Sequence, residues 1–552
     1  MALLWEEIAQ AKREYRDNSI PKEWRLQAGQ IPDGRLNVLE VPVECGILTP
    51  REIEITEADA VMLVQKIIER EFSSYEVTLA FCKRASIAHQ LVNCLSEIFF
   101  DEALEVARHL DTEYATTGVP CGPLHGLPVS LKDCFQVKGT DATIGYTAYA
   151  NKLTEEDESA LTKIMREKGA VLFCKTNVPT ALMAGETYND IFGYTTNPYN
   201  RSLSSGGSSG GESALLALKG SPLGVGTDVG GSIRIPASFC GLYSLKPSAG
   251  RFPTSGLRDG MEGQEAIRNS VGPMARSLAA VEMWSRAALT SEPWMNIDPD
   301  CLPIPYRIPA IPEILCFGLL LDDGIVKPLP PVTRALLQTK TALEAAGHSV
   351  ISFHIDDPLY VDDLKPALYR SAAAMTVNQK LSKTQQPWPR GMKMLQDIVS
   401  GDPKSCSTVS SLWEAQVKRT EYAWRMLQAW AATRKRTGTG REMDALLMPC
   451  SPWPACEKYE FSYDTYTSLW NVLDYCATTV PVTKVTAIDV TRPQYDGRNM
   501  VEAKVWNEYS PERLLDAPVA IQLVSRRLNE EYFLGVTRVC DDALKAEGYE
   551  KT

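Results

Sequence analysis

Glycine occupies nine of the 26 positions from Gly206 to Gly231, in a chain that carries 36 among 552 residues. The surrounding stretch, Ser204 to Pro247, reads SSGGSSGGESALLALKGSPLGVGTDVGGSIRIPASFCGLYSLKP. Glycine at this density lets backbone N–H groups approach a bound group closely and admits positive φ. The apolar runs ALLAL and SIRIPASFCGLYSL pin the glycines on both sides, which a flexible Gly/Ser linker lacks. Ser208 and Ser209 lie inside the first glycine cluster, and Ser232 closes the second. Two loops that each offer a hydroxyl and bare N–H groups point to a nucleophile with an oxyanion hole. A phosphate-binding loop or a tight structural turn is the alternative.

Charge and cysteine usage exclude several classes. A net charge of −12, with no basic cluster beyond local groups such as Arg434 to Arg436, offers no footprint for a nucleic acid. The 14 cysteines contain no CxxC pair and no zinc spacing, so they read as reduced thiols. The charged opening MALLWEEIAQAKREYRD is unlike a signal peptide, and the longest apolar run, around Ile314 to Leu321, is far short of the roughly 20 residues that span a bilayer. The expectation is a cytoplasmic protein without a transmembrane segment.

Taken in order, residues 4 to 16 predict an amphipathic helix, and capping boxes at Thr56–Asp59 and Ser73–Glu76 predict two more. Residues 1 to 115 thus read as a mostly helical layer. GPLHGLPVSLKDCF (122 to 135) carries a short strand in which Ser130, Lys132 and Cys134 share one face. A helix near 158 to 168 and a strand at Ala170 to Cys174 follow, an order that suggests parallel pairing. After six prolines between Pro293 and Pro312 come a strand (Leu315 to Leu321), a helix (330 to 346) and a strand (Ser349 to His354). Residues 356 to 440 read as irregular helices whose Trp388, Trp413, Trp424 and Trp430 are assigned to core packing rather than to a substrate entrance. Strands at Ala445 to Met448, Val480 to Val485 and Val519 to Val524, then a helix near 529 to 546, close the chain. The expectation is a single domain over 1 to 552, with a core at 120 to 290, a region at 291 to 460 that shapes the substrate pocket and a closing sheet and helix at 461 to 552.

Gly206–Gly210 satisfies G-x-S-x-G, the hydrolase nucleophile elbow, yet the residues before it, NPYNRSLSS, are turn sequence rather than strand. The elbow also needs a histidine. His348 and His354 flank or occupy a strand that reads as buried, and His125 sits in a turn where it suits a backbone contact. No GxxxxGK[ST], no Rossmann spacing and no HExxH occurs. What survives is a serine hydrolase whose base is not histidine.

The stretches PVSLKD, GGSSGGE and SPLGVGTDVGGSIRIPASFCGLYSLKP resemble the amidase signature family. Similarity extends to KTNVP, FGYTTNP, SVGPMAR, SLWNVLDYCATTVPV and APVAIQLVSRR. The opening IPKEWRL is similar to fungal acetamidase-type general amidases, and the central block also resembles mammalian fatty acid amide hydrolase without its membrane segment. The resemblance implies an α/β fold with a twisted mixed central sheet flanked by helices. It implies a Ser-Ser-Lys triad in which Ser232 is the nucleophile, Ser208 the bridging hydroxyl and Lys132 the base. It further implies a cis peptide at Gly207–Ser208, oxyanion donors among the N–H groups of Val229, Gly230, Gly231 and Ser232, and a substrate contact at Leu182. Ser209 is expected to assist by hydrogen bonding, and Asp228 and Arg234 to brace the loop as an ion pair. The spacing of 24 residues from Ser208 to Ser232 favours Ser208 over Ser209 for the bridge.

A lysine that acts as a base near neutrality must be made neutral by burial. The expected reaction is hydrolysis of a carboxylic amide to acid plus amine or ammonia through an acyl-enzyme, with no metal and no organic cofactor. Transfer of the acyl group to an amine, and a scaffolding subunit of a transamidation complex, are the alternatives. The expected partner is a small-molecule amide, with no nucleic acid, and a homodimer is an expectation from the family alone. Ser205 and Cys476 stand where the family commonly has proline, which bears on loop rigidity and not on chemistry.

Overall fold

A computed structural model describes residues 4–27, 29–31, 34–370, 372–400, 408–490 and 495–549. Its strands are β1 (Leu95–Ile98), β2 (Pro128–Lys132), β3 (Val171–Thr176), β4 (Tyr188–Asn189), β5 (Gly193–Tyr194), β6 (Leu223–Asp228), β7 (Tyr243–Lys246), β8 (Ser270–Ala275), β9 (Cys316–Leu319), β10 (Ser349–Ser352), β11 (Ala445–Pro449), β12 (Cys476–Lys484) and β13 (Pro518–Ser525). Eleven of them form one mixed sheet in the order β1-β3-β2-β6-β8-β7-β12-β13-β11-β9-β10, while β4 and β5 make a small hairpin. The fold is α/β, a mixed central sheet flanked by helices.

Among the described strands of the large sheet, parallel pairing falls in two places. β3, β2 and β6 run parallel near one end, and β11, β9 and β10 near the other. Antiparallel β8, β7, β12 and β13 join the two groups. The β2–β3 pairing follows the strand-helix-strand order read from the sequence, with helix Ala160–Glu167 as the crossover. β1 adds antiparallel to β3 and is a strand inside the segment expected to be mostly helical.

The N-terminal helix runs Trp5–Asn18, with Met1 to Leu3 outside the described residues. One expected cap moves. Thr56 lies inside helix Pro50–Glu57, and the next helix, Ala60–Ile68, is capped by Asp59, whose carboxylate accepts from the Val61 N–H at 2.9 Å. The true capping box sits seven residues earlier. Thr49 Oγ1 accepts from Glu52 N–H at 3.2 Å, Glu52 accepts from Thr49 N–H at 2.8 Å, and Pro50 occupies the first helical position. Thr49→Ala should therefore destabilise the protein by about 1 kcal/mol in urea denaturation, and an unchanged midpoint would show that the cap is not limiting. At Ser73 only half the box forms, because Glu76 turns to Arg51.

A continuous apolar cluster extends from Ile20 to Leu544 and includes residues of every strand of the large sheet except β10. Trp430 is fully inside it and Trp388 packs on its edge. Trp413 and Trp424 are 65% and 62% exposed, so core packing does not account for them. Both project from the solvent side of helix Val409–Ala432, whose buried face carries Ala415, Tyr422, Met426 and Trp430. β10 is likewise only partly covered, so His348 and His354 flank an edge strand, not a buried one. No described helix is long and apolar enough to cross a membrane.

Candidate active site

Three carriers meet at the parallel end of the sheet. β2 brings Lys132, the turn before helix Gly210–Ala217 brings Ser208 and Ser209, and the segment leaving β6 brings Asp228 to Ser232. Alternation along β2 sends Ser130 and Lys132 to the same side, where Ser130 donates to the buried Glu212 and Lys132 reaches Ser208. Cys134 lies beyond the strand end. Glu212 also accepts from Thr176 Oγ1 at 2.7 Å, so one carboxyl joins β2, β3 and the serine-bearing helix. Burial pushes that carboxyl up to about 7. Gly224 is required beneath it, because a methyl there would collide with the Glu212 carboxyl oxygen.

Lys132 is fully buried, and its Nζ lies 2.7 Å from Ser208 Oγ, 2.8 Å from Thr227 Oγ1 and 3.2 Å from the Thr227 carbonyl. It has no ion-pair partner among the described residues. Loss of solvent lowers its pKa to about 8, against the upward pull of Cys134, Asp228, Asp259 and Glu212. Three acceptors match the three N–H bonds of an ammonium. A neutral amine keeps two of them and can accept the third contact from the Ser208 hydroxyl.

The Gly207–Ser208 peptide is cis. The two serine loops are tied by the Ser209 N–H, which donates to the Ser232 carbonyl at 3.1 Å. Ser209 is expected to assist by hydrogen bonding, and the bond to Ser232 comes from its backbone N–H, while its hydroxyl is buried and meets no partner among the described residues. Ser232 is half-buried, and its hydroxyl forms no hydrogen bond among the described residues, including none to Ser208. Nor is it a helix cap, since Ile233 holds that position before helix Arg234–Phe239. Ser205, in the position of the family's proline, donates to the Thr195 carbonyl at 3.1 Å, which tethers the loop by a side chain.

Asp228 organises the second loop. Its carboxylate accepts from the N–H groups of Gly231 (2.8 Å) and Ile233 (3.1 Å), from Asn471 Nδ2 (2.9 Å) and from both Nε and Nη2 of Arg234 (3.0 Å each). Despite burial, Arg234 holds it well below the usual carboxylate range. Arg234 reaches on to the Thr467 carbonyl at 2.9 Å, Asn471 Oδ1 at 2.6 Å and Gln522 Oε1 at 3.2 Å. One expectation gives way here. The Gly231 N–H is spent on Asp228, which leaves Val229, Gly230 and Ser232 with N–H groups that meet no intramolecular acceptor among the described residues. Gly231 itself has φ +135°, and a methyl on it would strike Thr467 Oγ1, so only glycine fits.

Leu182 is buried in the 3-10 turn Thr180–Leu182, where Ala181 and Leu182 both take positive φ (58° and 61°). His125 uses Nδ1 to accept the Cys121 N–H at 3.1 Å, the backbone role its turn suggested. The sequence reading missed Thr227, Thr467 and Asn471. The last two are four apart on helix Thr465–Val472 and so share a face, but Thr465 and Ser468 on the same helix are polar as well, so residue type alone does not single them out.

The amidase family model matches residues 76–534. The chain belongs to the amidase family. The acetamidases of Aspergillus oryzae and Emericella nidulans are each 39% identical to this amidase over 96% of its length and 97% of theirs. Among solved structures, a fatty acid amide hydrolase superposes with a TM-score of 0.89 at 31% identity, covering 98% of this amidase and 95% of that chain. The acetamidase-type resemblance of the opening segment and the fatty acid amide hydrolase resemblance of the core are thus both present as measured similarities. The reaction class of the amidase is hydrolysis of amide bonds.

Proposed function

We propose that this amidase cleaves a short aliphatic carboxamide through an acyl-enzyme on Ser232, with Ser208 as the bridging hydroxyl and Lys132 as the base. The observation that carries the reading is a fully buried amine with no carboxylate partner, 2.7 Å from a serine hydroxyl and pushed down to about 8. Neutral Lys132 takes the Ser208 proton while Ser208 takes that of Ser232, whose hydroxyl is free to turn toward it. Ser232 Oγ bonds to the amide carbon, and the carbonyl electrons move to oxygen, where the N–H groups of Val229, Gly230 and Ser232 receive the charge. The relayed proton then passes to the amide nitrogen, the C–N bond breaks, and ammonia or amine leaves. Water opens the ester by the same relay in reverse. Leu182 forms part of the wall beside the reacting carbonyl. The acetamidase likeness, at 39% identity over 96% of the chain, supports a small acyl group.

Intact-mass measurement after exposure to a serine-directed fluorophosphonate tests the assignment. One adduct should form, map to Ser232 and appear far more slowly in Lys132→Ala. An adduct that persists in Ser232→Ala and vanishes in Ser208→Ala would transfer the nucleophile to Ser208.

The pH dependence has a definite sign. Lys132 must be neutral to accept a proton, so log kcat/KM should climb with unit slope toward a plateau above about pH 8. For stability, the lysine is penalised in the fold while protonated. That penalty is complete below about pH 8 and fades as pH rises toward the ordinary 10.5, so its removal in Lys132→Met should raise the thermal midpoint at neutral pH. A rate profile flat from pH 6 to 9 would remove Lys132 as the base.

A further inference from the structure

Beyond the triad, the segment from Val229 to Ser232 has an outer support that the reaction scheme leaves unused. Tyr369, on helix Pro358–Arg370, directs its hydroxyl to the Val229 carbonyl at 2.7 Å. Thr467 directs its hydroxyl to the next carbonyl, that of Gly230, at 2.8 Å. Asp228 takes the N–H of Gly231 at 2.8 Å.

A trans peptide is planar, with C=O and N–H pointing in opposite directions. Thr467 and Asp228 therefore hold both ends of the Gly230–Gly231 plane. The Val229–Gly230 plane has one anchor, Tyr369, at its carbonyl end. Its other end is the Gly230 N–H, one of the three donors left for an oxyanion. Gly230 has no Cβ to resist rotation of that plane, and a methyl built on it would meet a single neighbour within 4 Å, the Tyr369 hydroxyl at 4.0 Å.

The phenol is suited to this task. Burial, with Asp464 and Asp228 nearby, drives its pKa well above 10, so it remains an O–H donor at every working pH. Its helix is fixed to the neighbouring segment through Lys365, which binds Asp464 at 2.7 Å, Thr465 at 2.9 Å and Ser468 at 3.3 Å.

We propose that Tyr369 is a positioning residue for the reaction: by holding the Val229 carbonyl it aims the Gly230 N–H at the oxyanion. The inference rests on Ser232 being the nucleophile. It gives a residue of the variable region a part in the rate as well as in the shape of the pocket.

Tyr369→Phe keeps the ring and removes the donor. It should lower kcat for a primary amide by about 10- to 100-fold, less than the loss of a direct oxyanion donor, with KM and the thermal midpoint unchanged. The second-order rate of Ser232 phosphonylation by a fluorophosphonate should fall in parallel. In that step the P–F bond breaks, fluoride leaves, the Ser232 proton enters the relay, and the phosphonyl oxygen uses the same N–H groups. A Tyr369→Phe enzyme that is labelled and turns over within twofold of wild type overturns the positioning role and leaves the acyl-enzyme reading intact. A fall confined to KM, or matched by a lower midpoint, overturns it in favour of packing. A wild-type enzyme that is never labelled at Ser232 overturns the nucleophile assignment and this inference with it.

Discussion

Ser232→Ala is expected to lower kcat by about 10⁵- to 10⁶-fold while leaving the thermal midpoint within about 1 °C of wild type, the scale of a lost nucleophile in a serine hydrolase. The two halves of that result have separate causes. The hydroxyl is half-buried, bonds to no described residue and caps no helix, so the fold loses nothing when it goes. On the proposed mechanism the chemistry loses the atom that carries the acyl group. Ser208→Ala differs on both counts, since its hydroxyl is fully buried and is an acceptor for Lys132. Steady-state hydrolysis of a short amide, paired with a melting curve for each variant, reads the contrast. Residual turnover above about 1% in Ser232→Ala, on a scale where nucleophile loss costs about 10⁶-fold, would place the nucleophile elsewhere.

The largest effect on stability is expected from Arg234→Leu. The substitution leaves Asp228 fully buried without its cation, and breaking a buried pair from one side costs about 3–5 kcal/mol. In a chain this long the entropy of melting is large, so that energy corresponds to a fall of only about 3–4 °C. Activity should disappear altogether, because Asp228 also holds the N–H groups of Gly231 and Ile233. Asp228→Asn combined with Arg234→Leu should recover part of the midpoint but none of the turnover. The wild-type pair contributes at all ordinary pH, since the Asp228 carboxylate stays ionised until far below its usual range. Full activity in Arg234→Leu would mean that the oxyanion loop holds its shape unaided.

The proposed triad was legible through the family resemblance of PVSLKD, GGSSGGE and GGSIR, because Lys132 stands 76 residues before Ser208 and its own neighbourhood does not mark it as a base. The proposed oxyanion loop was legible only in part. That Gly231 gives its N–H to Asp228 depends on which way a peptide plane turns, and residue identity does not record that. Tyr369 and Thr467 act on backbone carbonyls from more than 130 residues away, and a bond to a carbonyl leaves no mark on the partner's side chain. The tryptophans illustrate a different limit. Trp413 and Trp424 are 11 residues apart, about three helical turns, and so share the solvent face, whereas Trp430 falls on the face with Tyr422 and Met426. Helical phase separates them where composition cannot. The cap expected at Thr56 gives way to one at Thr49, where Pro50 takes the first helical position, to which proline is suited.

The clamp on the loop from Asp228 to Arg234 also bears on the order of events during synthesis. Arg234 and the Gly230 carbonyl are held by groups at Thr467, Asn471 and Gln522, more than 230 residues downstream. A nascent chain that has displayed Lys132, Ser208 and Ser232 still lacks the parts that give the loop its shape. Turnover is therefore expected only once residues through Gln522 have been made and packed, so that it would report folding of nearly the whole chain rather than of residues 132 to 232 alone.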